Sequence, residues 1–217
     1  MRPRLPPAHR VLVVAPHPDD EAIAAWGLMR SLRTRGADVE VLVVSDGGAS
    51  HPGSLSWPRL RLAAARRRET LRAMRTLGLA PPAITFLELA DGALGDDRSL
   101  DRRISRAILH RRAPDLIVGP EITDAHSDHR AVARAIAGVQ RRGERRVTYH
   151  VWPVQAARGA RRYGMVLKHA SLAMKRRVVR SYRSQAGLIT DSPTGFTMTH
   201  RHLKAFAGPA ERFAVAR

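Results

Sequence analysis

The chain contains no cysteine, which excludes a disulfide framework, a thiolate metal site, an iron-sulfur cluster and a catalytic thiol. Any metal would have to be held by His, Asp or Glu. Long apolar runs are also missing: stretches such as Val11-Leu12-Val13-Val14-Ala15 fall far below the ~18 residues needed to span a bilayer. The N-terminus carries no signal-peptide pattern, so a cytoplasmic protein without a transmembrane segment is expected. Acidic residues are few, 19 against 38 Lys and Arg, for a formal charge of +19. Lysine is scarcer still: Lys168, Lys175 and Lys204 are the only three, so arginine supplies 35 of the 38 positive charges. A field of this sign favours anionic partners, including an anionic substrate. The basic residues, however, are spread over many segments, and aromatic residues, which single-strand binders use for stacking, make up only 5% of the chain. The arginine skew, with abundant alanine, reads as GC-rich codon usage, and no specific nucleic-acid partner is expected.

What is present is an ordinary globular balance, 44% hydrophobic and 26% charged over 217 residues, enough for one domain with a sizeable core. Residues 1–9 read as a flexible, Pro-rich basic leader, and 10–217 as a single domain. From Arg10 onward, short β-branched runs at 10–15, 39–45, 83–88, 115–119 and 147–152 alternate with amphipathic stretches near 20–35, 59–78, 99–112 and 128–142. This alternation indicates an α/β fold around a mainly parallel sheet. Right-handed connections then give strand order 3-2-1-4-5, with strands one and four adjacent. A further strand at 163–169 and a helix at 171–184 are expected, and loops beyond Gln185. Ligands of such sheets bind at the carboxyl ends of the strands where the winding reverses, which nominates the loops after Ala15 and Gly119.

Both loops carry metal-ligand chemistry. After the first strand comes Pro16-His17-Pro18-Asp19-Asp20-Glu21, and after the fourth Pro120-Glu121-Ile122-Thr123-Asp124-Ala125-His126-Ser127-Asp128-His129. Helix capping by Asp19 and Ser127 accounts for one residue in each loop and leaves the histidines and the other carboxylates unexplained. Three His or Asp ligands with an open position are a common catalytic Zn²⁺ site. His17 and Asp20, three apart across the strand-to-helix turn, can converge on one ion, and His129 can approach from the neighbouring loop. Asp19 is then placed to act as general base toward a metal-activated water. His126 is placed to stabilise an oxyanion and protonate a leaving amine, with Asp128 as its orienting partner.

At these residues the sequence resembles the PIG-L / LmbE-like family of zinc-dependent de-N-acetylases. Weaker matches extend the likeness: Asp46-Gly47-Gly48, Arg66-x-x-Glu69, Leu77-Gly78 and Ser184-Gln185. The resemblance implies a Rossmann-like three-layer sandwich and hydrolysis of an acetamide on an N-acetylated amino sugar or glycoconjugate. It also implies Zn²⁺ on His17, Asp20 and His129, Asp19 as base and His126 as electrostatic or acid partner. Arg66 falls at a family position that touches substrate. His51, in the small-residue loop 46–54, is a second candidate for substrate recognition or an exposed loop histidine. That loop suits a mobile rim, and Trp57 offers either a sugar-stacking face or packing. Three other readings compete: an amidase on another amide such as a thiol conjugate, a two-His-one-carboxylate non-haem iron oxygenase, and a basic nucleic-acid-binding protein with vestigial site residues.

Overall fold

The computed structural model describes residues 7–95, 97–139, 143–152 and 162–215. The β-branched runs form β1 (Arg10–Ala15), β2 (Asp38–Ser45), β3 (Ile84–Leu89), β4 (Leu116–Pro120) and β5 (Arg145–Tyr149), and every pairing among these five is parallel. Between them run α1 (Asp20–Thr34), α2 (Arg59–Arg75), α3 (Arg98–Leu109) and α4 (Ser127–Gly138). The sheet order begins β3-β2-β1-β4-β5, the order expected from right-handed connections.

The strands read as continuous apolar runs because both their faces are covered. Val11, Val13 and Ala15 of β1 join Val39, Val41 and Val43 of β2 in a core shared with α1, Ala73 and Met74 of α2, and Val178 and Val179 of α5 (His169–Arg180). Leu12 and Val14 point the other way, into a second core with Leu42, Ile117, Ile104 and Ile108 of α3, and Val132 and Ile136 of α4. α4 lies close on β4 because position 119 is glycine: a Cβ there would sit 2.2 Å from Ile136 Cδ1.

The C-terminal part departs from expectation. β6 (Arg162–Val166) and α5 fall near their anticipated places, but the stretch read as loops beyond Gln185 contains α6 (His200–Phe206) and β7 (Ala210–Val215). β7 inserts between β5 and β6, antiparallel to both. Its sequence hides it, because Glu211 looks like a surface residue and is 3% exposed. The Glu211 carboxylate accepts from the backbone amides of Gly27 (2.7 Å) and Leu28 (2.8 Å) and pairs with buried Lys175 at 2.7 Å. Lys175 also donates to Ile23 O at 2.7 Å, so two C-terminal elements grip the middle of α1.

Of the leader, residues 1–6 lie outside the described residues. The chain is already tied down before Arg10: His9 N donates to Asp115 Oδ2 (2.9 Å), and His9 O accepts from Asp38 N (2.7 Å). Among the described residues no helix is long and apolar enough to cross a membrane.

Candidate metal centre

β1 and β4 are neighbours at the reversal of strand order, so the loops leaving their carboxyl ends meet. The first loop delivers His17, Asp19 and Asp20, the second Asp124, His126, Asp128 and His129. Asp20 and His129 stand in the first turns of α1 and α4. There the positive field of a helix N-terminus favours a carboxylate on the first and disfavours a protonated ring on the second.

Three donor atoms form a triangle. His17 Nδ1 and Asp20 Oδ2, Asp20 Oδ2 and His129 Nε2, and His129 Nε2 and His17 Nδ1 are each 3.2 Å apart. Ligands of a tetrahedral ion with bonds of about 2.0–2.1 Å are separated by about 3.3–3.4 Å, so the triangle fits one face of such a site. All three residues are buried. The far nitrogens are backed by carboxylates, the arrangement that orients metal-binding imidazoles. His17 Nε2 is 3.2 Å from both Asp128 Oδ2 and Asp91 Oδ1, and His129 Nδ1 is 3.2 Å from Asp124 Oδ2. Those carboxylates are themselves fixed by backbone amides: Asp128 by Gly92 and Leu94, Asp91 by Ala49, Asp124 by His126 and Val151.

The electrostatics follow from this packing. Burial opposes charge on His17 and His129. The carboxylates of Asp128, Asp20 and Asp91 overcome it and hold His17 well above its ordinary range, while Asp20 and Asp124 push His129 up to about 9. Burial likewise opposes charge on Asp20 and Asp91, but the facing imidazoles hold both carboxyls far below the usual range. The centre is a nest of carboxylates that demands positive charge, as ring protons or as an ion replacing them.

Asp19 does not cap α1. It occupies the N-cap position with φ 130° and makes no side-chain capping bond. Its carboxylate instead lies 3.1 Å from the Arg66 guanidinium, and its amide donates to Glu21 Oε2 at 3.1 Å. Burial pushes Asp19 up to about 8, with Arg66 opposing and Asp20 and Glu21 adding. Arg66 is 3% exposed, unlike its exposed neighbours Arg67 and Arg68, and it donates to Gly47 O at 3.0 Å. Gly47 is required: its φ is +67°, and a Cβ would come within 2.9 Å of the guanidinium.

Two expected roles change. Asp128 does not orient His126 through its carboxylate, which is committed to His17 and the 92–94 amides; it is the backbone N–H of Asp128 that donates to His126 Nδ1, at 3.1 Å. His126, rather than Ser127, is thus the N-cap of α4. His51 is neither an exposed loop residue nor part of the cleft lining: it is 4% exposed, packed under Gly195. Trp57 also stands outside the lining, with the Arg61 guanidinium over its ring. The 46–58 loop is cross-braced. Asp191 accepts from Ser54 Oγ, Ser56 N and Ser56 Oγ, and Ser50 O accepts from Phe196 N.

The weaker sequence matches converge on the same place. Glu69 accepts from Ser184 N and Oγ, and Gln185 Nε2 donates to Ser50 Oγ. Gln185, Ser50 and Arg66 join His17, Asp19, Asp20, Asp91 and His126 around a cleft of about 290 Å³, whose remaining lining includes Ile23, Val151, Trp152, Phe196 and Phe206. Asp91 and Asp124 were not anticipated. Asp124 could have been found by asking which carboxylate stands behind His129, and Asp91 by its place after β3, on the third loop at the same sheet edge.

The chain is 30% identical over 125 residues to the diacetylchitobiose deacetylase of Thermococcus kodakarensis, covering 56% of this chain and 45% of that protein. It is 31% identical over 163 residues to the 1D-myo-inositol 2-acetamido-2-deoxy-alpha-D-glucopyranoside deacetylase of Corynebacterium efficiens, covering 61% and 51%. The chain thus spans about half the length of the curated relatives it matches. Among solved structures, the N,N'-diacetylchitobiose deacetylase from Pyrococcus horikoshii superposes with a TM-score of 0.67 at 24% identity, covering 83% of this chain and 72% of that one, a likeness of fold. The model of the PIG-L family, described as GlcNAc-PI de-N-acetylase, matches residues 12–139, more than half the chain and both metal-ligand loops; the chain belongs to that family.

Proposed function

We propose that the protein is a zinc-dependent de-N-acetylase that hydrolyses the acetamide of an N-acetylated amino sugar or glycoconjugate, releasing acetate and a free amine. The observation that carries this reading is the buried triangle of His17 Nδ1, Asp20 Oδ2 and His129 Nε2 with Asp19 beside it in the cleft. Two nitrogens and one oxygen suit Zn²⁺, which when bound supplies the charge that acidifies water and polarises a carbonyl.

The chain's own groups divide the remaining work. Asp19, raised toward neutrality by burial, is matched to taking a proton from the attacking water and returning it to the departing nitrogen. Arg66, 3.1 Å from Asp19 Oδ2, steadies that carboxylate. His126 acts as a neutral donor. Burial and the nearby His17 and His129 hold it below its usual range, and its Nδ1 accepts from an amide, which leaves the proton on Nε2. That N–H is suited to the oxyanion formed when water adds to the amide carbon. The C–N bond then breaks as the nitrogen takes its proton.

A non-haem iron oxygenase would use the same three ligands. A buried carboxyl of raised pKa and a neutral imidazole donor in one cleft serve hydrolysis and have no part in oxygen activation. The test is metal content alongside acetate release from N-acetylglucosamine derivatives, with and without chelator. Stoichiometric zinc and chelator-sensitive acetate are expected; iron without acetate release would overturn the reading.

A further inference from the structure

We infer that the cleft contains a second, apolar subsite, walled by Trp152, Phe196 and Phe206, that takes a hydrocarbon group, alkyl or aryl, carried by the substrate beside its acetamide; this rests on the deacetylase reading of the same cleft. The chain has few aromatic residues, ten Phe, Tyr and Trp in 217, yet three of them line this one cleft together with Ile23 and Val151. The rings form a fixed box. Trp152 meets Phe196, His202 and Phe206 edge to face, with centroids 5.4, 5.9 and 5.7 Å away, and His202 stacks on Phe206. The box is held from both ends: Phe196 N donates to Ser50 O at 2.8 Å, and Thr199 and His202 close a reciprocal cap on α6.

Apart from the indole N–H of Trp152, these five residues bring no side-chain partner for a sugar hydroxyl. The groups that could serve hydroxyls, Ser50, Gln185, Asp91 and Arg66, form the other part of the lining. A ligand that used the whole cleft would therefore join a hydroxylated ring to a hydrocarbon portion. Apart from Ile23 the wall lies outside the segment 12–139 that the family model matches.

The experiment is a chain-length series of methyl, butyl, hexyl and octyl 2-acetamido-2-deoxyglucopyranosides below their micellar concentrations, read as kcat/KM. Alongside it, calorimetric binding is measured for the matching alkyl glucosides, which lack the acetamide. Each early methylene is expected to raise kcat/KM and affinity about threefold to fourfold, and the slope is expected to flatten in Trp152→Ala and Phe196→Ala. A flat series in the native protein, or a steep one unchanged in both variants, overturns the inference. If a variant fails to fold, the native series and the other variant decide. If no glycoside is hydrolysed, the deacetylase reading falls while the calorimetric series still decides the subsite.

Discussion

On the proposed reading, replacing Asp19 by Asn should separate catalysis from metal binding. The two side chains have the same shape, and Asn tolerates the φ of 130° at this position better than most residues do. The triangle of His17, Asp20 and His129 does not include Asp19, so metal content should stay stoichiometric. Turnover should fall by about 10²–10⁴, the usual contribution of a positioned general base, or about 3–5 kcal/mol in the barrier. Stability should move the opposite way. The Asp19 carboxyl is raised from 3.8 to about 8 by burial, against the pull of Arg66, so the folded protein holds this proton more tightly than the unfolded chain. The associated stability is present below pH ~4 and is lost as pH rises toward 8. Asn cannot ionise and removes that loss, so with chelator present the variant should melt higher than the native protein at pH 8 and about equally at pH 4. Acetate release, metal analysis and melting curves at the two pH values test all three parts. Metal loss equal to that of His129→Ala, or turnover within tenfold of native, would refute the division of roles.

Other consequences are as direct. Asp124→Ala removes the carboxylate behind His129 Nδ1 and should weaken metal affinity about 10–100-fold, read by competition with a chromophoric chelator; His129→Ala should weaken it further. His129 is raised to about 9, so in metal-free protein its protonated ring contributes stability that is fully present below about pH 6.5 and is lost as pH rises through 9. The ion needs the ring deprotonated, so loaded protein should gain stability relative to metal-free protein across that window; a parallel decline in both forms would exclude the site. Glu211→Ala leaves Lys175 buried without its partner and strips the acceptor from Gly27 and Leu28. It should cost about 3–5 kcal/mol in denaturant unfolding, and a loss under 1 kcal/mol would show the pair to be dispensable.

The first five strands and first four helices were readable because each obeys one rule. β1 from Val11 onward and all of β4 are apolar, since helices cover both faces, and the motifs at 16–21 and 126–129 sit where parallel strands end. Asp20 and His129 were readable as partners for the same reason, the adjacency of strands one and four. The parts that were missed break a rule of that kind. Glu211 is a charge inside a strand, legible only once Lys175 and the α1 amides are in place around it. His51 looked solvent-facing because its loop is rich in Gly, Ser and Pro, yet the 192–196 segment folds over it. Asp128 was assigned to its chain neighbour His126 by proximity in sequence, whereas the first turn of α4 turns its carboxylate toward the 92–94 loop and His17.

Composition suggested an electropositive protein, and the fold decides where that charge goes. In α1, α2 and α5 the acidic residues are Asp20, Glu21 and Glu69, all buried, whereas Arg30, Arg33, Arg67, Arg68, Arg72, Arg75, Arg176, Arg177 and Arg180 are exposed. The outer surface of that helical layer is therefore cationic. The cleft is the reverse. Among the described residues that line it, Arg66 is the single Lys or Arg, and its guanidinium is already held by Asp19, Pro18 O and Gly47 O, beside the carboxylates of Asp19, Asp20 and Asp91. On the proposed reading, selectivity at the reacting centre rests on a cation held among carboxylates and on the aromatic wall, and the net charge of +19 acts at long range on the approach of ligands, where salt screens it.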